Sequence, residues 1–244
     1  MDVFITLLFM FTVLGGLGAL IYWAYRAEKQ RTEAVQTLAK RLKFTYQGSK
    51  DNYSRTRKRR SLFDTGRESN QYVVSMLSPE AQQFELFKIG TEATIKHLIQ
   101  GEMRGLQVSV ADYTYTTGTS DNKKSRSQTI VILETQQQRF PKFLVTPENF
   151  LHRIGNQFGL QDIDFATHPH FSRCYHVRSE DEQSLRRLFT DKVLRFIERE
   201  EDKVTLEGNQ SALLYYTEKE ILEPREWMAL VQRAHRLFQQ LQSA

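Results

Sequence analysis

The chain has 244 residues, with 34 Lys and Arg against 29 Asp and Glu, a formal net charge of +5 and one cysteine, Cys174. A lone cysteine excludes an intramolecular disulfide framework and fits a reducing compartment. The positive excess is mild; it suits nearness to anionic lipid, and it is too dispersed to argue for nucleic acid as a partner.

Strong hydrophobicity is concentrated at the N-terminus. Val3 to Tyr25 reads VFITLLFMFTVLGGLGALIYWAY, without a charge. About 23 helical residues at about 1.5 Å each cross a hydrocarbon core of roughly 30 Å with some tilt. Tyr22, Trp23 and Tyr25 gather at one end, as an interfacial aromatic belt does. A cleaved signal peptide would need a basic start and a shorter apolar core, and both are missing here. The sequence therefore predicts an uncleaved transmembrane anchor over residues 1–25. Arg26, Lys29, Arg31, Lys40, Arg41 and Lys43 follow the run, and no Lys or Arg precedes it. The positive-inside rule then predicts a single-pass inner-membrane protein, N-terminus out, with a cytoplasmic C-terminal domain. Thr12, Gly15, Gly16 and Ala19 supply small residues four apart, a spacing that lets two copies pack as a homodimer through this helix.

Residues 26–48 read as a juxtamembrane helix with a thin apolar stripe (Ala27, Val35, Leu38, Ala39, Leu42), then a short strand from Phe44 that Gly48 ends. Residues 49–78 are basic and poorly ordered in appearance, with Arg55, Arg57, Lys58, Arg59 and Arg60 in one cluster. That cluster reads first as a solvated charge run, with contact to anionic lipid on the cytoplasmic side as the functional alternative. Gln71 to Leu77 reads as a strand.

Residues 79–244 read as the cytoplasmic α+β domain, with a possible lobe division near Thr167. Ile95 to Leu133 is the clearest β region. Leu106, Val108 and Val110 alternate in one phase, then Ala111, Tyr113 and Tyr115 in the other, which predicts either a bulge or a strand buried on both faces. Between LQVSV and TIVIL lies a polar connection carrying Lys123, Lys124 and Arg126, read as a hairpin tip with a lipid or partner contact as the functional alternative. Phe140 to Val145 is a further strand. Thr146-Pro147-Glu148 predicts a helix start, with Phe150, Leu151, Ile154 and Phe158 on its inner face and Gly159 at its end. Ser179 and Glu182 predict a capping box, followed by a helix burying Leu185, Leu188, Phe189, Val193, Phe196 and Ile197. Val204–Leu206 and Ala212–Thr217 predict a hairpin turning at Gly208-Asn209. Pro224 opens a last amphipathic helix through Trp227, Leu230, Val231, Leu237 and Leu241. Strands joined by hairpin-length loops, with three or so helices, predict a mainly antiparallel sheet.

The run GEMRGLQVSVADYTYTTG, the following QTIVIL, and FLVTPENFLHRIGNQFGLQDIDFATHPHFSRCYHVRSEDEQSLRRLFTDKVLRFIE together resemble uncharacterised single-pass bacterial membrane proteins. More distantly, Phe171 to Leu214 is similar to the C-terminal half of domain-of-unknown-function family 3137. The resemblance implies a membrane-anchored α+β domain and carries no activity with it.

Only one segment has the residue types of a chemical site. In DIDFATHPHFSRCYH, the side chains of His168, His170, Cys174 and His176 share parity and would line one side of an extended chain, with Asp162 and Asp164 upstream. The spacing matches no metal motif. No phosphate-binding glycine loop, nucleophile elbow, zinc-protease helix or cofactor motif occurs. The function these features predict is a membrane-tethered interaction or scaffold domain with an unknown protein partner and no evident catalysis. The alternatives are a metal-assisted hydrolase using residues 162–176 and an anionic-lipid-sensing module.

Overall fold

The computed structural model describes residues 2–51, 73–118, 122–148, 162–217 and 221–243. The basic cluster at 55–60 and the inner face of the helix expected to follow Glu148 lie outside these residues. Helix α1 (Asp2–Leu42) is one unbroken helix of 41 residues, so the predicted juxtamembrane helix continues the N-terminal run directly. Among the described residues, no helix is long and apolar enough to cross a membrane. The side chains of residues 2–8 and 11 lie outside the described set.

After α1 come strands β1 (Thr45–Asp51), β2 (Thr91–Met103), β3 (Leu106–Thr117), β4 (Lys124–Glu134), β5 (Phe140–Pro147), β6 (Tyr175–Ser179), β7 (Val204–Gln210) and β8 (Ala212–Thr217). They form one eight-stranded sheet in the order β1-β2-β3-β4-β8-β7-β5-β6, antiparallel at every pairing. The sheet runs uninterrupted across position 167, because β6 pairs with β5. Helices α2 (Pro169–Cys174), α3 (Glu182–Leu188), α4 (Asp191–Glu198) and α5 (Trp227–Gln242) complete the described elements.

The two apolar phases of β3 serve two cores. Leu106, Val108 and Val110 join a core with Val35, Leu38 and Ala39 of α1 and the buried faces of α3, α4 and α5. Ala111, Tyr113 and Tyr115 join a second core on the opposite face, closed by Val73, Val74, Leu77, Phe84, Leu86 and Phe87. No bulge interrupts the β3–β4 register, so the change of phase means burial on both faces.

Several boundaries differ from expectation. Val73 to Leu77 is a helical turn tucked under the second face, where its two valines are buried, in place of a strand. Gly48 passes through β1 at positive φ as a register irregularity and does not end it. Thr146 and Pro147 close β5, and the helical conformation begins only at Glu148. Asp181, not Ser179, caps α3 by accepting from the Ser184 N–H at 2.9 Å, while the Ser179 hydroxyl accepts from the Asp181 N–H. The predicted single helix is divided into α3 and α4 at Phe189-Thr190. The last hairpin turns at Gln210-Ser211, with Gln210 at positive φ, which places Gly208 within β7. A Cβ on Gly208 would lie 2.1 Å from the ring of its cross-strand neighbour Phe143, so the absent side chain makes room for that ring.

The same strand buries an acid. Thr205, Glu207 and Asn209 alternate as a polar strand face should, yet all three are buried, because the 3-10 turns Ala81–Gln83 and Glu85–Lys88 lie over them. The Glu207 carboxylate accepts from the backbone N–H groups of Glu85 and Leu86, the latter at 3.0 Å, and so fastens the covering segment to the sheet. Burial pushes its carboxyl up to about 7, against the pull of those two donors. A folded-state carboxyl raised above its ordinary value of 4.5 holds its proton more tightly than the unfolded chain does. The resulting stability is fully present below the ordinary value and is lost as pH rises through 7. Chemical unfolding between pH 5 and 8 should therefore show stability falling by roughly 3 kcal/mol from this group, with Glu207→Gln flattening the slope. An unchanged slope in the variant would mean that Glu207 is ionised throughout.

Candidate functional site

Along β3 the inward phase continues past Leu106, Val108 and Val110 to Asp112, whose side chain is 2% exposed. A carboxylate at a core position must be fully paired. Arg31 of α1 meets it as a two-pronged fork, Nε to Oδ2 at 2.8 Å and Nη2 to Oδ1 at 2.9 Å. Thr129, its register partner on β4, donates to Oδ1 at 2.9 Å, and His97 Nδ1 lies 3.2 Å from Oδ2. These contacts use the carboxylate's full acceptor capacity.

His97 reaches Asp112 by an uncommon route. Between Lys96 and Ile99 the β2–β3 register shifts, and His97 sits in the bulge at φ +55°, a conformation unfavourable for a residue with a Cβ. Its Nε2 lies 3.2 Å from the Thr32 hydroxyl and 3.7 Å from Glu28. Thr32, His97 and Asp112 thus follow one another like a nucleophile, base and orienting acid. The arrangement is not a catalytic one. Thr32 hydrogen-bonds back to the Glu28 carbonyl within the helix, His97 is buried, and Asp112 is neutralised by Arg31.

The network extends to the connection between β8 and α5. Arg31 Nη2 also donates to the Leu222 carbonyl at 2.7 Å, the Leu222 N–H donates to Thr129 at 2.9 Å, and the Trp227 indole donates to the same carbonyl at 3.3 Å. The Arg31 guanidinium stands 5.9 Å from the Trp227 ring centroid. One arginine on the extended helix therefore ties α1 to β2, β3, β4 and the start of α5.

The junction sets the direction of everything near it. Glu28 and Thr32 lie beside Lys96 and His97, and Phe44 lies against Gly101, so α1 and β2 run the same way. The start of β2 and the β3–β4 connection consequently extend past the junction toward the N-terminal end of α1 by about five strand residues, roughly 15 Å. Lys123, Lys124 and Arg126 sit at that edge; Lys123 pairs with exposed Glu92 at 2.7 Å, and Lys124 is exposed. Tyr22, Trp23 and Tyr25 are exposed on α1, along with Phe9, Leu14, Leu17, Leu20 and Ile21.

The histidine segment is not extended. Pro169 starts α2, and the parity argument fails with it. His168 is buried between Glu198 at 3.3 Å and Asp191 at 3.4 Å. His170 and Cys174 are one helical turn apart, with 3.9 Å between Nε2 and Sγ. His176 pairs separately with Asp162, which bridges to Arg178 of β6 from the segment before it. Among the described residues, no group of three or more His, Cys, Asp and Glu could hold a metal ion.

No family model matches this chain, and no curated protein does. Among solved structures it is similar to the crystal structure of the mycobacterial trehalose monomycolate transport factor A, TtfA, with a TM-score of 0.51 and 13% identity, over 86% of this chain and 93% of that one. At that identity the likeness is one of fold.

Mutation of the Arg31–Asp112 pair tests the junction directly. Removing one partner of a buried ion pair strands the other, at a cost of about 3–5 kcal/mol. Arg31→Ala and Asp112→Asn should each destabilise the full-length protein by about that much in urea unfolding. The double variant should cost much less than their sum. Additive losses would mean that the two side chains do not depend on each other.

Proposed function

We propose that the chain is a membrane-tethered accessory domain that holds a protein partner at the inner face of a bacterial membrane, without catalysis of its own. The observation that carries this reading is the form of α1. Its C-terminal third is clamped into the domain by Arg31, while its N-terminal part exposes large apolar side chains such as Phe9 (70% exposed) and Trp23 (71% exposed). Exposed apolar surface of that extent calls for lipid or a second helix around it. The uncharged run from Val3 to Tyr25 and the basic residues after it supply the anchor and its orientation. Gly15 and Gly16 have open space around them, where a second copy's helix would pack.

The fold likeness to TtfA, a transport factor by its title, supports a membrane-related accessory role. Kinship with domain-of-unknown-function family 3137 belongs to the same proposal. A metal-assisted hydrolase on residues 162–176 draws no support from converging ligands among the described residues. Lipid contact is part of the tether reading. Lys123, Lys124 and Arg126 stand at the edge toward the anchor, where anionic headgroups would meet them, and Arg55, Arg57, Lys58, Arg59 and Arg60 would add to the same attraction.

The test is extraction and topology of the full-length protein in bacterial membranes. The protein should stay with the membrane in alkaline carbonate. A phosphatase fused after Ala244 should be inactive, and a fluorescent protein at the same place should fluoresce. Release by carbonate, or an active phosphatase, would contradict the reading.

A further inference from the structure

Helices α4 and α5 lie antiparallel on the outer side of the sheet and leave an open groove of about 550 Å³ between them, lined by Lys192, Arg195, Phe196, Arg199, Glu200, Arg236 and Gln240. Positions 192, 195 and 199 fall three and four apart, on one helical face. The acids of α4 lie on the other side: Asp191 pairs with His168, and Glu198 accepts from His168 and from the Phe171 N–H at 3.0 Å. Among the described residues, the side chains of Lys192, Arg195 and Arg199 make no hydrogen bond or ion pair. Glu200 is the acid lining the groove, and Arg233 stands 3.8 Å from it, with the Tyr215 hydroxyl donating at 3.5 Å. Its charge is shared with Arg233 and with Arg236, and the groove presents Lys192, Arg195 and Arg199 with no counterion among the described residues.

Helix stability accounts for only part of the row: Arg195 in the last turn and Arg199 at the C-cap suit the helix dipole. Lys192 stands in the first turn of α4, where a positive charge opposes the helix dipole. The cations also do not converge on one point. From Lys192 to Arg199 they make a row about 10 Å long, with Arg236 facing it from α5. A single phosphate needs convergent donors; a row suits charges repeated along an elongated ligand. Half-buried Phe196 adds an apolar floor. We propose that this groove binds an acidic segment of a partner protein, its carboxylates taken by Lys192, Arg195, Arg199 and Arg236. The inference rests on the interaction-domain reading and names the chemistry of the partner.

The test uses the full-length protein in zwitterionic detergent, where binding is read independently of membrane insertion. The probe is a labelled oligoglutamate peptide, followed by fluorescence anisotropy, with oligoglutamine as the neutral control. Saturable binding is expected, weakened at least about tenfold by Arg195→Glu with Arg199→Glu and reduced in Arg236→Gln. Unchanged thermal melting of these surface variants shows that they fold. Lys123→Glu with Lys124→Glu, which changes the charge by the same four units elsewhere, should leave affinity within about twofold. Equal loss from both sets of variants would reduce the groove to general electrostatics and overturn the proposal. So would absence of saturable binding, or displacement of the peptide by pyrophosphate at equal total charge, which would mark a site for point anions. Carbonate extraction and topology would still stand in each of those cases.

Discussion

A carboxylate at a core position on β3 is the constraint from which the junction follows. Asp112 continues the inward phase of Val108 and Val110, and its charge would be untenable there without full pairing. Arg31 supplies the charge, Thr129 and His97 supply the remaining contacts, and each is drawn from a different element. The arginine also takes the Leu222 carbonyl, so the same atoms that neutralise Asp112 position the start of α5. An ion pair of this kind is a poor source of net stability compared with apolar packing, and a good source of geometry. Here the geometry concerns one helix, whose other end is apolar and exposed.

The second face of the sheet repeats the logic with a different acid. Glu207 is held by two backbone N–H donors in place of an arginine, and burial raises its carboxyl. One buried acid fixes the N-terminal helix, and the other fixes the segment that covers the opposite face. Between them, the middle of the sheet is buried on both sides, which is why residues 130–133 of β4 and 212–216 of β8 are continuous runs of aliphatic and aromatic residues.

Much of this was legible in the sequence. The β2–β3–β4 meander, the last helix and the continuous α1 follow from periodicity and from cap residues. Asp112 was missed: its parity with Leu106, Val108 and Val110 was a signal that it faces inward, but it opens the polar connection between LQVSV and TIVIL and reads as solvent-facing there. Glu207 was hidden, since Thr205, Glu207 and Asn209 look like the wet face of a strand, and only the covering turns at 81–88 bury them. His97 carries no local signal at all, because its role depends on a bulge and on a helix 65 residues away. The histidine parity at 168–176 failed on Pro169, which opens a helix as readily as it breaks a strand. The cations of α4 carry no sequence signal of their own, because the groove they line also needs residues of α5.

Arg31 holds α1 at a fixed angle to the sheet. That hold is tested most directly by pulsed electron-spin distance measurement in nanodiscs, with Lys29→Cys on α1 and Ser125→Cys on β4 labelled in a Cys174→Ser background. Exposure of Lys29 and Ser125 makes both positions suitable. The account predicts one narrow distance distribution that broadens when Arg31→Ala is added. A broad distribution with Arg31 present, or a narrow one that the substitution leaves unchanged, would contradict it.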